Sequence, residues 1–382
     1  MAGRTPQGRI PELDGLRGAA ILAVWLGHYF GLPAAGPFRI LDANWYRLGW
    51  TGVDLFFVLS GFLIGGILLG ARDSPAYFKT FYARRFFRII PIYYVWTLAY
   101  VLVVGVGGNY LRAHARIGVV EGVDFGILAQ FLFLQNFGNW LTSPLSYWWF
   151  GATWSLAVEE QFYLIAPLLV RFFSKRTLVA ALTTTFFAAP FIRFFVRRYA
   201  EHSLDEGYWL AYRLMPCRAD ALAVGMLLGI AWRNAPFRKW LDAHGGLLYS
   251  IFFVLLAGVA ILWRWFSNPQ SYICQVFGYS WLALFFATVL VLALSKPAGP
   301  IAVLARLGFL RDLGSVSYCI YIVHTAIYLI CFQILLHTLP TAMNGKILGI
   351  TILAAAISYV IAKLSGKYFE GPMLRLGHAY KF

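Results

Sequence analysis

The feature that most constrains this chain is a series of about ten apolar segments, each long enough to cross the hydrocarbon core of a bilayer as a helix of ~20 residues. Hydrophobic residues make up 60% of the sequence and charged residues only 13%, whereas soluble domains carry about 25% charged residues. We therefore predict an all-α, polytopic transmembrane helix bundle. We place its spans at residues 15–33, 50–70, 87–106, 152–171, 177–195, 213–232, 246–264, 275–295, 313–336 and 347–366.

The distribution of basic residues predicts how the spans are oriented. Lys and Arg cluster in alternate loops, and an N-terminus in the cytoplasm places nearly all of these loops inside. This arrangement requires that the short apolar piece Ile127–Phe137 does not cross, so we expect it to be re-entrant or interfacial. The C-terminus is then cytoplasmic as well. Arg193, Arg197 and Arg198 depart from the pattern, because they would lie outside.

Charge and cysteine content exclude other classes of protein. The net charge is +16, but its basic residues lie between apolar spans, where topology and anionic headgroups require them. We therefore expect membrane lipids and no nucleic acid as partners. The four cysteines have no metal-ligand spacing, so we expect neither a metal nor a disulfide framework. We interpret residues 1–382 as one integral-membrane domain without an appended soluble domain.

Ionisable residues inside the first two apolar segments are candidates for a functional site. Such groups are costly at membrane depth and usually face a bundle interior or a cavity. Arg17 and His28 are eleven positions apart, so they project from one face of the first helix, ~16 Å from each other. His28 is therefore a candidate catalytic residue, while Arg17 could bind an anionic head or anchor the helix. Asp14 and Asp54 could form ion pairs with Arg17 or with the arginines of the next motif.

A second candidate is the R-x-x-R pair formed by Arg85 and Arg88. Residues at i and i+3 lie on one face of a helix. Two neighbouring guanidinium groups present forked donors that match a phosphate. The pair alone is a weak indication, because any cytoplasmic helix start collects arginines, and Arg84 is an example.

A third candidate lies in the segment WSLAVEEQFYLIAP. The adjacent Glu159 and Glu160 point about 100° apart on a helix, so they cannot serve one purpose identically. A carboxylate beside a neutral histidine would orient its ring and raise its basicity. Tyr163 would complete the same polar face. The alternative is that the carboxylate neutralises a nearby arginine.

Three further polar residues interrupt apolar helices and are predicted to face inward. Arg218 and Asp220 stand near the start of the sixth span, where Asp220 could simply pair with Arg218. His324, in GSVSYCIYIVHTAI, is either a second catalytic histidine or a hydrogen-bonding residue that lines a cavity.

Taken in order, several motifs of the chain resemble those of acyltransferase family 3, a family of integral-membrane enzymes that acylate bacterial cell-surface glycans, some lipids and antibiotics. The resemblance covers essentially the whole chain and rests on their combination. The motifs are LDGLRGAAILAVWLGHYF, GVDLFFVLSGFLI, ARRFFRIIPIYY, WSLAVEEQFYLIAP, RADALAVGMLLG, LGSVSYCIYIVH and KYFEGPMLR.

The resemblance implies a bundle of about ten spans with both termini in the cytoplasm. It also implies an acyl-CoA donor, with acetyl-CoA the expected one, and an acceptor hydroxyl on the far side of the membrane. His28 would be catalytic, Arg17, Arg85 and Arg88 would serve donor binding or catalysis, and Glu159 or Glu160 would match the family's glutamate.

Some members of the family carry an extracytoplasmic SGNH hydrolase-like domain that completes the transfer. No such domain follows in this sequence, so we expect either direct transfer to the acceptor or a separate periplasmic transfer protein. The resemblance implies a multi-pass protein of the bacterial inner membrane that acylates a surface polysaccharide or glycolipid. The alternative hypothesis is a transporter of an acyl donor or lipid-linked sugar that performs no chemistry.

Overall fold

A computed structural model describes residues 10–30, 44–114, 125–138, 141, 143–203, 207–266, 268–339 and 344–382. Every long regular element in these ranges is an α-helix, which confirms the predicted all-α class. In chain order the helices are α1 (Pro11–Phe30), α2 (Gly52–Gly70), α3 (Tyr77–His114), α4 (Phe125–Phe131), α5 (Pro144–Phe150), α6 (Trp154–Phe172), α7 (Lys175–Ser203), α8 (Gly207–Arg213), α9 (Met215–Trp232), α10 (Ala235–Ala243), α11 (Gly245–Trp265), α12 (Tyr279–Ser295), α13 (Pro300–Ala305), α14 (Gly308–Ser315), α15 (Ser317–Leu336), α16 (Gly345–Ser365) and α17 (Gly371–Ala379).

Each predicted span coincides with one of the long helices, although the last residues of the first prediction, 31–33, lie outside the described ranges. Eight helical stretches in the described residues are long and apolar enough to cross a bilayer, as expected of a multi-pass membrane protein. The two predicted spans beyond these eight are α1 and α6, which are 20 and 19 residues long and carry the ionisable residues Arg17 and His28 in α1 and Glu159 and Glu160 in α6. In place of Ile127–Phe137 stands α4, whose seven residues rise only ~10 Å.

Local sequence explains several helix boundaries and irregularities. α5 begins with a capping box in which the Ser143 hydroxyl accepts a hydrogen bond from the backbone N–H of Ser146. Asn344 caps α16 in the same way. Pro91 and Pro167 lie inside α3 and α6 without ending them, which is common in membrane helices because neighbouring groups satisfy the freed carbonyls.

The chain divides into two compact units. The first comprises Met1–Val24, Arg47–Arg72 and Val158–Ser315, and the second comprises Trp25–Tyr46, Asp73–Ala157 and Val316–Phe382. The boundary therefore falls within α1, so that His28 belongs to the second unit and Arg17 to the first.

In the first unit, α2 and α9 pack with their backbones in contact. A Cβ atom added to Gly61 would collide with the carbonyl oxygen of Leu222, and one added to Gly225 would collide with that of Val58. Gly61 with Gly65, and Gly225 with Gly229, form one G-x-x-x-G pattern on each helix. Small residues at this spacing let membrane helices approach closely, where van der Waals packing can hold them together.

In the second unit, buried amides hold α4 and the turn after it against α3. The Tyr93 hydroxyl donates to Oε1 of Gln130 over 2.8 Å, and Nε2 of Gln135 donates to the Tyr93 oxygen over 3.0 Å. The Thr153 hydroxyl donates to the same Gln130 oxygen. Phe133 occupies the left-handed region with φ of 53°, which allows the chain to reverse between the two glutamines.

Candidate active site

The two histidines that the sequence singled out meet in the second unit. His28 lies in the last turn of α1 and His324 in the middle of α15. Nε2 of His324 is 3.0 Å from Nδ1 of His28, and the two ring centroids are 4.9 Å apart. His324 has no exposed surface, whereas His28 is exposed. The arrangement is a histidine pair in which one ring is enclosed and the other is accessible.

Tyrosines next to this pair tie the backbones of α1 and α15 together. The Tyr29 hydroxyl donates to the carbonyl oxygen of His324 over 2.9 Å and lies 3.2 Å from the hydroxyl of Ser358. In return, the Tyr328 hydroxyl donates to the carbonyl oxygen of Tyr29 over 3.1 Å. The Tyr29 and Tyr328 rings stack with centroids 4.4 Å apart. These contacts restrain the distance between the two histidine backbones.

A third tyrosine, Tyr321, fixes the helical turn that precedes His324. The Tyr321 hydroxyl donates to the carbonyl oxygen of Ala152 over 2.8 Å and lies 2.5 Å from the hydroxyl of Ser155. The sequence analysis did not select Tyr321, Tyr29 or Ser155. For Tyr321 a signal was present in the motif SYCIYIVH, where it precedes His324 by three positions and so lies on the same side of the helix.

The R-x-x-R arginines lie on one unbroken helix, α3, and both are half-buried. The guanidinium of Arg85 stands 5.8 Å from the ring centroid of Phe81. The neighbouring Arg84 donates two hydrogen bonds to the carbonyl oxygen of Tyr380. The interpretation of Arg84 as a helix-start arginine and phosphate binding by Arg85 and Arg88 both stay predictions.

In the first unit, Glu159 is held by two hydroxyl groups. The Ser60 hydroxyl donates to its Oε1 over 2.6 Å, and the Tyr163 hydroxyl donates to its Oε2 over 3.2 Å. Tyr163 therefore shares a polar face with Glu159, as the spacing suggested. Glu160 is also half-buried. Which of the two carboxylates takes part in chemistry stays a prediction.

The remaining acidic candidates form ion pairs. Asp14 lies 3.6 Å from Arg17 within α1, which is one of the pairings that the sequence suggested. Asp54 pairs with Arg218 over 2.6 Å, and both side chains are only 1% exposed. The expectation that Asp54 pairs with Arg17 or the R-x-x-R arginines was therefore wrong. The reason is the close packing of α2 on α9, which brings the N-terminal turns of the two helices together.

Asp220 also has a different partner from the expected Arg218. Its Oδ2 accepts hydrogen bonds from Arg193 over 2.8 Å and from the Ser280 hydroxyl over 2.6 Å. Arg193 donates further bonds to the carbonyl oxygens of Cys217 and Val276 and has no exposed surface. A pairing of Asp220 with Arg218 fails because residues at i and i+2 of a helix do not face each other. Arg193, which departed from the charge pattern, is thus a buried partner of a carboxylate.

Within the ranges that the structure describes, no group of three or more His, Cys, Asp or Glu side chains is placed to hold a metal ion. The polar side chains instead form separate small clusters. Those of the first unit contain carboxylates held by arginine or hydroxyl donors, and the one around His28 is built from imidazoles, phenols and backbone carbonyls.

Comparison with known proteins gives consistent matches along the chain. "Peptidoglycan O-acetyltransferase OatA" of Listeria monocytogenes is 27% identical over 96% of this chain and 56% of its own length. "O-acetyltransferase OatA" of Staphylococcus aureus is 24% identical over 96% and 58%. "Putative peptidoglycan O-acetyltransferase YrhL" of Bacillus subtilis is 26% identical over 96% and 55%. The chain thus spans little more than half the length of these relatives.

No solved structure matches the chain. The family model of acyltransferase family 3, described as an acyltransferase domain, matches residues 10–363. That match includes α1 with His28, the R-x-x-R pair, the VEEQFY segment and α15 with His324. The chain therefore belongs to acyltransferase family 3.

Proposed function

We propose that this chain is a membrane-embedded O-acyltransferase that moves an acetyl group from acetyl-CoA to a hydroxyl of an extracytoplasmic polysaccharide or glycolipid. The observation that carries the proposal is the accessible imidazole of His28, which ends α1 and is hydrogen-bonded to the enclosed His324. The names of the relatives support acetyl as the acyl group and peptidoglycan as the class of acceptor. The eight apolar helical stretches support a location in a membrane, and we propose the cytoplasmic membrane.

His28 acts as the general base in this proposal. Its unprotonated ring nitrogen takes the proton of the acceptor hydroxyl while the hydroxyl oxygen attacks the thioester carbonyl carbon. The C–S bond then breaks, and the imidazolium returns the proton to the leaving sulfur. The products are an O-acetyl ester and CoA with a free thiol, so His28 is regenerated. Base assistance of this kind contributes about 10²–10⁴-fold to the rate.

The donor is bound through its phosphates. Arg85 and Arg88 carry two guanidinium groups on one face of α3, a geometry suited to phosphate oxygens. Arg17 lies three turns before His28 on the continuous helix α1. It would hold an anionic portion of the donor at the cytoplasmic end of that helix. Positioning by such contacts supplies much of the rate in a transfer between two bound substrates.

The route to the acceptor is proposed in one of two forms. The acetyl group passes directly to the acceptor hydroxyl, or it passes first to a separate periplasmic transfer protein that completes the reaction. The carboxylate of Glu159, held by Ser60 and Tyr163, or that of Glu160 would assist by charge or by orientation.

The test is acetyl transfer by the protein purified in detergent. Release of CoA from acetyl-CoA is measured together with acetyl incorporation into glycan fragments by mass spectrometry. We expect His28→Ala to reduce transfer by at least about 10²-fold while the variant remains inserted and keeps its melting temperature.

The matched control is His244→Ala. His244 is an exposed histidine at the end of α10 that stacks on Trp240 with centroids 4.5 Å apart. The control should retain full transfer. Unchanged turnover in His28→Ala would refute the proposal, and so would a wild-type protein that moves acetyl-CoA or glycan across vesicles without forming an ester.

A further inference from the structure

The hydrogen bonds around His324 determine which of its ring nitrogens carries a proton. Its Nδ1 lies 3.0 Å from the carbonyl oxygen of Ile320 and 3.0 Å from that of Tyr321. A carbonyl oxygen only accepts hydrogen bonds. Nδ1 of His324 must therefore be the protonated nitrogen and donate to this pair of oxygens.

The protonation of the opposite nitrogen follows from burial. His324 has no exposed surface, and an ion in such a place loses its hydration without compensation unless a counter-charge faces it. The ring nitrogens of His324 form hydrogen bonds with two backbone carbonyls and with the imidazole of His28. In the neutral ring, Nε2 has a lone pair and accepts a hydrogen bond.

The proton on His28 is thereby assigned as well. Its Nδ1 is the atom 3.0 Å from the accepting Nε2 of His324, so it has to donate. In a neutral His28 the other nitrogen, Nε2, then holds the lone pair. We infer that His324 is a positioning residue that fixes His28 in the Nδ1–H tautomer and so directs the basic nitrogen of His28 away from α15.

This inference rests on the proposed function only where it concerns rate. A general base must present its lone pair to the proton that it removes, and a ring in the wrong tautomer presents an N–H instead. In serine hydrolases a buried carboxylate performs the same task, and loss of the correct tautomer there costs about 10⁴-fold. Here a neutral imidazole takes the place of the carboxylate as the group that accepts the hydrogen bond from Nδ1 of His28.

The contacts around His324 fit a residue that orients the ring of His28 rather than a second general base. The carbonyl oxygen of Tyr321 accepts a hydrogen bond from Nδ1 of His324. The phenol of Tyr321 is itself hydrogen-bonded to the carbonyl oxygen of Ala152 and the hydroxyl of Ser155. The hydroxyl of Tyr29 bonds to the carbonyl of His324. His324 is thus fixed at its side chain and at its backbone, and both of its ring nitrogens are engaged.

Two substitutions of His324 distinguish its role as a hydrogen-bond acceptor for His28 from its role in packing. His324→Gln can place an amide oxygen close to the position of Nε2, where it accepts from His28. His324→Asn can still donate to the helix carbonyls but is too short to reach His28. We expect Asn to lower kcat by about 10²-fold and Gln to restore at least one tenth of wild-type kcat, with KM for acetyl-CoA unchanged in both. Equal losses in the two variants, or wild-type rates in His324→Asn, would overturn the inference.

A measurement that needs no activity tests the tautomer itself. The wild-type protein is labelled with ¹⁵N-histidine, reconstituted in phospholipid bilayers and measured by solid-state NMR at a pH where histidine is neutral, with His28→Ala as the assignment control. We expect the His28 Nε2 resonance in the range of an unprotonated nitrogen and the Nδ1 resonance in that of an N–H. The reverse assignment would refute the positioning role even if acetyl transfer is confirmed, and an inactive protein with the expected spectrum would refute only the proposed function.

Discussion

The buried polar clusters of the two units follow opposite rules. In the first unit, Asp54 with Arg218 and Asp220 with Arg193 are side chains of full charge that are at most 1% exposed. In the second unit, His28 and His324 are hydrogen-bonded to each other through their ring nitrogens, and one of the two rings is exposed. The first arrangement matches each buried charge with an opposite one, whereas the second leaves one ring accessible.

This difference separates structural from chemical use of polar residues in a membrane. A buried charge that is matched by a partner is tolerated at membrane depth, but breaking the pair exposes the full cost of the remaining ion. A neutral base with an accessible nitrogen can exchange a proton with a substrate. Ionisable residues in apolar helices therefore mark either structural ion pairs or sites of chemistry, and the partners of each residue show which of the two it belongs to.

The largest effect should come from breaking an ion pair in the first unit. Arg218→Met leaves Asp54 as an uncompensated buried carboxylate, so we expect a loss of about 3–5 kcal/mol in the free energy of unfolding. Thermal unfolding in detergent measures it as a lower melting temperature and a lower yield of folded protein.

The double variant Asp54→Leu with Arg218→Met sharpens this test. An apolar pair of similar size is often neutral or better than a buried ion pair, so the second substitution should recover most of the stability. If Arg218→Met alone keeps the wild-type melting temperature, the pair does not stabilise the first unit and the contrast between the units is lost.

An intermediate effect should come from two glycines, one in a close helix contact of the first unit and one in open space in the second unit. Gly225→Ala places a Cβ atom against the backbone of Val58, so we expect a loss of about 1–3 kcal/mol from overpacking. Gly349, in α16, has no atom within 4 Å of an added Cβ. Gly349→Ala should be neutral or stabilise by up to about 1 kcal/mol, because alanine is the better helix former. Equal melting temperatures for the two variants would contradict the close contact of α2 and α9.

The smallest effect should come from Glu159, whose carboxylate is half-buried. Glu159→Gln weakens its charged hydrogen bonds with Ser60 and Tyr163, and we expect a cost of about 1 kcal/mol. Ser60→Ala should cost a similar amount. Because both changes act on the same hydrogen bond between Ser60 and Glu159, the double variant should lose less than the sum of the two. Additive losses in thermal unfolding would show that the bond contributes nothing measurable.

Much of the architecture could be predicted because span length and hydropathy act locally. The predicted spans and the long helices coincide, and the short piece near Ile127 is indeed not a long helix. The sequence also selected His28, His324 and Glu159 as polar interruptions of apolar segments. Their selection needed only the high cost of polar groups at membrane depth.

The partners of these residues could not be predicted, because they depend on contacts between distant parts of the chain. His28 and His324 are separated by 296 positions, and Asp54 and Arg218 by 164. Proximity in sequence suggested Arg218 for Asp220, although helix geometry opposes it, and the actual partner lies on α7. Arg193 was noticed only as an exception to the charge distribution, and burial explains that exception.

The glycine contact between α2 and α9 limits how the first unit can move. Where two backbones touch, no side chain between them can change rotamer to let one helix slide or rotate past the other. Any rearrangement of these helices would have to separate them entirely and expose Asp54 and Arg218. We therefore expect α2 and α9 to move as one rigid body, so that conformational changes during a reaction cycle are accommodated by other helices.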